Sequence, residues 1–208
     1  MAIRQPPFNR AKPQREQEAG PQKELPIAEI VTGVVIVLIL VFMGLPKLIN
    51  WWRGVEANQE VVTFYDRLVM AQNTAVEKRK PVSVVFFPDR NAFSVHEDTN
   101  GNDAVDAGEF HEEFGLGEHL QYYGGSLPDL KNVWNGEPVG DRAVHLFGGG
   151  TRLTFNPLGQ TSDNGAVYLI PKWDVGITAK NMRALKFLKT SGEIRVLHHT
   201  GQDDVPWK

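Results

Sequence analysis

The chain has 208 residues, 41% of them hydrophobic and 23% charged, with a formal net charge of −3 and no cysteine. These values exclude a polytopic membrane protein, a collagen and a wholly disordered chain, and they leave no net positive field to attract nucleic acid or anionic lipid. Without cysteine, disulfide scaffolds, zinc ribbons, thiol catalysis and iron–sulfur ligation are ruled out.

Residues 1–24 are rich in Pro, Gln, Arg and Glu and read as a polar, disordered leader. From Ile30 to Leu45 there are sixteen residues with no charge, and Thr32 is the only polar side chain. Counting back to Leu25 gives a segment about 31 Å long as a helix, the thickness of a bilayer's hydrocarbon core. A buried core helix would carry a polar stripe. A cleaved secretory signal would have a shorter apolar run followed by a small-residue cleavage site. Neither pattern is present. Residues 25–46 therefore read as one membrane-spanning helix, and a filament core helix if the chain assembles.

Arg4, Arg10, Lys12, Arg15 and Lys23 outnumber Glu16, Glu18 and Glu24 before this segment. That bias predicts a cytoplasmic N-terminal end and an extracytoplasmic body beyond about residue 55. Trp51 and Trp52 follow where an interfacial aromatic belt is expected. Glu29 stands apart. A carboxylate in an apolar helix is costly, so it marks a functional position in need of a cationic partner; the alternative is a side chain that snorkels to the interface.

The helical pattern resumes after Pro46. Apolar residues recur at 61, 64, 65, 68, 71 and 75, with a neighbouring row at 55, 62, 69 and 76, the spacing of one buried face. Lys78, Arg79 and Lys80 suit the negative end of the helix dipole, and Pro81 ends the element. The whole helix, 25–80, would be about 84 Å long, with Pro46 able to kink it.

From residue 82 the period changes to two. Strands are predicted at 82–87 and 92–96, joined as a hairpin by Pro88 to Asn91, and near 142–147, 151–155, 166–170, 184–189 and 193–198. Gly148, Gly149 and Gly150 predict a hairpin turn rather than a phosphate loop, because no Lys-Ser/Thr pair and no helix follow. Residues 115–141 are rich in Gly and Pro and receive no assignment. The prediction is an α+β fold, a long N-terminal helix packed on an antiparallel sheet. It divides the chain into a leader (1–24), an apolar helix (25–46), an amphipathic continuation (47–80) and a β-rich extracytoplasmic domain (81–208).

These residues resemble the type IV pilin superfamily, and within it the GspH/FimT-type minor pseudopilins. If Leu25 is the first mature residue, Glu29 is the fifth and Pro46 the twenty-second, matching the family's glutamate and helix-kinking proline. The stretch from Leu68 through Ala75 and Val76 to Pro81 and Val82 resembles the family's helix end. Residues 153–159, with Phe155, Pro157 and Gly159, and 185–196, with Thr190, Gly192, Arg195 and Val196, resemble its later motifs. The resemblance implies a structural subunit rather than an enzyme, held in the inner membrane by one span until assembly. Its partners would be other pilins or pseudopilins, an inner-membrane assembly platform, and a prepilin peptidase cutting between Glu24 and Leu25. Glu24 departs from the family's Gly at that position. The resemblance further implies that Glu29 meets the N-terminal amine of a neighbouring subunit in a type II secretion pseudopilus or type IV pilus.

Two further segments carry alternatives. Residues 97–113 hold seven carboxylates and no Lys or Arg. Within them Asp98, Asn100, Asn102, Asp106 and Glu109 follow calcium-loop spacing, although the sixth position is Asp103 rather than Gly and the flanks read as strands. A solvated turn-rich loop is the competing reading, and no cofactor is required. A membrane-anchored calcium-binding module is the corresponding alternative function. In the second segment, Lys180, Arg183, Lys186, Lys189 and Arg195 make the C-terminal part locally basic. FimT-like members bind DNA through such a segment, so a DNA-binding minor pilin of transformation is another alternative, set against a solvated strand face. The six histidines are scattered, and no zinc site or catalytic motif emerges.

Overall fold

The computed structural model describes residues 26–100, 106–127, 129–202 and 206–208. The leader, with Glu24 and Leu25, lies outside the described residues, as does Asn102. The chain divides into two compact units, Met1–Pro46 and Lys47–Lys208. A single helix, α1 (Ile27–Lys78), supplies residues to both, and Pro46 lies inside it without ending it.

In the first unit every residue from 26 to 46 is exposed. The predicted length and apolar character hold, and α1 is long and apolar enough to cross a membrane.

The second unit is built on the other part of α1. Ala57, Val61, Phe64, Leu68, Ala71 and Ala75 are buried, at the three- and four-residue spacing that keeps one helix face on a core. The neighbouring row behaves differently: Val62 and Val76 are exposed, while Val55 and Val69 are half-buried. The single expected face is therefore narrower than the apolar pattern. The helix ends as a Schellman turn. The Lys80 N–H donates to the Ala75 carbonyl and the Arg79 N–H to that of Val76, with Arg79 in the left-handed region at φ 53°. Pro81 follows, and Lys78 pairs with Glu97 at the far end of the first hairpin.

Among the described residues nine strands form two sheets rather than the one expected. They are β1 (Val82–Phe87), β2 (Ala92–Glu97), β3 (His111–Gly115), β4 (Leu120–Tyr122), β5 (Val144–Leu146), β6 (Arg152–Phe155), β7 (Gly165–Pro171), β8 (Arg183–Phe187) and β9 (Ile194–His198). The first sheet runs β3-β2-β1-β6 and the second β4-β7-β8-β9, with β5 paired to the N-terminal part of β7; every pairing is antiparallel. Because β5 and β6 belong to different sheets, Gly148–Gly150 is a crossover and not the predicted hairpin turn. Gly149 and Gly150 both adopt positive φ, which glycine alone reaches at no steric cost.

The core lies between α1 and both sheets. The Phe64 ring sits 4.7 Å from Phe93 and 6.2 Å from Phe86, and Phe86 stacks at 6.2 Å on Phe187 of the second sheet. Farther along α1, the Gln72 amide donates to the carbonyls of Gly159 (2.5 Å) and Gly192 (2.8 Å), tying the helix to two turns of the sheet region. A Cβ on Gly192 would overlap the Gly159 carbonyl, so this approach requires glycine. The last residues add to the β9 edge. His198 and Lys208 exchange backbone bonds, and the Trp207 indole donates to the Lys131 carbonyl.

Candidate functional site

The largest unsatisfied surface is the first part of α1. Ile30, Val34, Ile36, Leu38, Leu40, Phe42 and their neighbours all stand exposed. A side chain of this kind left in water forgoes about 1.5–3 kcal/mol, so such a stretch needs lipid or other apolar helices around it. Glu29 lies in the first turn of α1, where the positive end of the helix dipole favours a carboxylate. It is exposed, as are all residues around it. It is the only ionisable side chain from 27 to 46.

The described residues of the acidic segment bond to one another. Glu109 accepts hydrogen bonds from the Thr99 N–H (2.6 Å) and the Asp106 N–H (3.1 Å), and Asn100 donates to Asp106 (2.6 Å). Asp98 is buried. Among the described residues no three His, Asp or Glu side chains converge as a metal set.

The basic residues do not share a face. On β8, Arg183 donates to the Asn58 side chain of α1 (2.7 Å) and to the Met182 carbonyl, and burial lowers its pKa. Lys186 projects the other way, donates to the Val133 carbonyl (3.2 Å) and lies 4.0 Å from the centre of the Trp134 ring. Burial and the charge of Arg195, its cross-strand partner, lower the Lys186 pKa. Arg195 makes two hydrogen bonds to Glu193. Lys180 and Lys189 are exposed, outside β8.

Two features escaped sequence reasoning. His96 is 1% exposed on β2, with neither ring nitrogen hydrogen-bonded. Burial first, then Arg152, lowers its pKa. The second is a cleft of about 600 Å³ lined by Ile49, Trp52, Arg53, Glu56, His119, Lys172 and Trp173. Ile49, Trp52, Arg53 and Glu56 share one side of α1 through their three- and four-residue spacing, which was legible; their partners lie more than sixty positions away and were not.

A family model described as type II transport protein GspH matches residues 60–183. Among solved structures, the minor pseudopilin EpsH from the type 2 secretion system of Vibrio cholerae aligns at 16% identity over 69% of this chain and 97% of its own, with a TM-score of 0.43. The type IV minor pilin FimU of Pseudomonas aeruginosa aligns at 14% identity over 68% of this chain and 87% of its own, with a TM-score of 0.44. No curated protein matches the sequence.

Proposed function

The chain belongs to the GspH family, and from that premise we propose that it is a minor pilin or pseudopilin, a structural subunit that waits in the inner membrane and is then drawn into a filament. Residues 25–46 serve as the membrane anchor, with the N-terminal end cytoplasmic and the sheet domain outside. During assembly the same apolar surface exchanges lipid for the helices of other subunits. The filament is a type II secretion pseudopilus or a type IV pilus, and this subunit acts in its initiation or near its tip.

The observation that carries this reading is the division of labour along α1. Its later residues are buried in their own domain, whereas residues 26–46 are uncovered, apolar and broken by one acid. An acid in a low-dielectric core is tolerated when paired, and the pair then sets register more than it adds stability. Glu29 therefore fixes the axial position of each new subunit through a cation on its neighbour.

The test is Glu29→Val in the native host. Membrane insertion should be unchanged, because the substitution only makes the span more apolar. Recovery of the subunit in sheared filaments should fall at least about tenfold, the loss expected when a buried charge keeps no partner. Recovery equal to the wild type would contradict the proposal.

A further inference from the structure

The cleft beside residues 49–56 holds a chemistry that filament assembly does not use. Arg53 and Lys172 both line it, both are exposed, and neither makes an ion pair with any described residue. Two indoles, Trp52 and Trp173, complete the walls. The acids nearby are already engaged. Glu56 accepts the Trp52 indole N–H (2.6 Å) and faces His119 at 3.3 Å. Glu60, one turn on, accepts the backbone N–H groups of Glu118 (3.0 Å) and His119 (3.1 Å). Arg53 and Lys172 outnumber the one carboxylate that lines the cleft, Glu56, and two indole rings frame them.

The walls are preorganised. The His119 backbone is held on one side by Glu60 and on the other by the Lys172 N–H, which donates to the His119 carbonyl (2.8 Å). The 3-10 turn Lys172–Asp174 presents Lys172 and Trp173 together, and the Trp173 ring lies 5.9 Å from that of His119. In sequence, Trp52 and Arg53 follow the apolar run ending at Leu45 by seven and eight residues. Tryptophan and basic side chains are the residue types that settle at a bilayer's polar boundary. A guanidinium recognises a phosphodiester through paired hydrogen bonds, and an ammonium adds a point charge. The volume lies within the range of about 300–1,000 Å³ that small-molecule sites occupy.

We propose that this cleft binds the anionic headgroup of a membrane phospholipid, with Arg53 and Lys172 on the phosphate and Trp52 and Trp173 against the glycerol and upper acyl chain. The site holds the subunit at a defined depth before assembly. The inference rests on the reading of residues 25–46 as a membrane anchor.

The test uses the full chain in uncharged detergent, titrated with a short-chain phosphatidylglycerol or with the phosphatidylcholine of the same acyl length. The readout is indole fluorescence, taken as the difference between the wild type and Trp173→Phe. Both lipids carry the phosphodiester, but only phosphatidylcholine adds a choline cation for Arg53 and Lys172 to repel, so half-saturation by phosphatidylglycerol is expected at about a tenfold lower concentration. Arg53→Gln with Lys172→Gln should bring the two lipids to the same midpoint without changing thermal melting, and Lys172→Arg should keep the preference. Equal midpoints in the wild type, or a preference that survives the double substitution, would overturn the proposal. So would inorganic phosphate reproducing the signal at the same concentrations, because the site would then be a free-anion site. Carbonate extraction of native membranes separates the two readings. Release of the chain overturns the anchor and this proposal together; retention with equal midpoints overturns this proposal alone.

Discussion

The two ends of α1 solve opposite problems with the same secondary structure. From 57 to 75 an apolar residue appears every third or fourth position, and the domain's two sheets cover that stripe. From 30 to 45 apolar residues occupy the whole circumference, and they are exposed among the described residues. A narrow stripe is finished by one packed layer, whereas a surface apolar all round cannot be covered from one side. The lone acid reinforces the difference. Polar side chains in the docked part find partners in the same domain, Gln72 on two turn carbonyls and Asn58 on Arg183. Glu29 has none among the described residues.

Paired substitutions sharpen this contrast. The largest difference should come from cutting the same side chain in both places. Leu68→Ala removes a fully buried group and should cost about 3–4 kcal/mol in denaturant unfolding of the full chain in detergent. Leu38→Ala, on the uncovered part, should cost less than about 0.5 kcal/mol. Equal losses would mean that residues 27–46 are packed within the monomer after all. Next come the glycines. Gly192→Ala would drive a methyl group into the Gly159 carbonyl at a residue with φ 69° and disturb both Gln72 bonds, a loss of at least about 2 kcal/mol. Gly33→Ala meets nothing within 4 Å and should be neutral or stabilise the helix by up to about 1 kcal/mol. Thermal melting followed by circular dichroism distinguishes the two.

The smallest effect is on pH dependence. Burial and Arg152 hold the His96 pKa below its ordinary 6.5, with Asp98 and Glu109 opposing and His111 adding to the depression. The unfolded chain therefore binds the extra proton first. The stability contributed by neutral His96 is complete above pH 6.5 and is lost as pH falls from there towards the folded-state value. Melting should drop between pH 7.5 and 5.5, and less so in His96→Gln. The helical signal of residues 30–45 should not follow, because nothing there titrates. An identical pH slope in the variant would remove His96 from this account.

The parts of the fold governed by local pattern could be read directly. The stripe from Val61 to Ala75, the stop at Pro81, the 82–97 hairpin and the later strands β6 to β9 all follow from period and punctuation. The misreadings share a cause, which is that pairing between distant strands leaves no local mark. Gly148–Gly150 has hairpin composition, yet β5 pairs with β7 and β6 with β1. Strand β3, with sequence HEEFG, is an edge strand whose glutamates face water, so it lacks the alternation that reveals a half-buried strand. The row of Val62 and Val76 was apolar at helical spacing, but the sheets are only wide enough to cover one side of α1. Glu29 and Pro46 were visible because a charge or a proline is conspicuous in an apolar run. The cleft at Arg53 was not, because His119, Lys172 and Trp173 reach it only through folding. The five basic residues near the C-terminal end formed a patch in sequence. In the structure Arg183 turns to α1, Lys186 to Val133, and Arg195 to Glu193.

The central claim is that the uncovered part of α1 is reserved for other subunits. A photo-crosslinking residue at position 38, in the full chain expressed in its native host, addresses this directly. Before assembly, irradiation should yield lipid adducts; in the sheared filament fraction it should yield covalent adducts with another pilin-like subunit, while the same probe at buried position 68 crosslinks only within the chain. Filaments containing the subunit but giving no intersubunit adduct at position 38 would contradict the account.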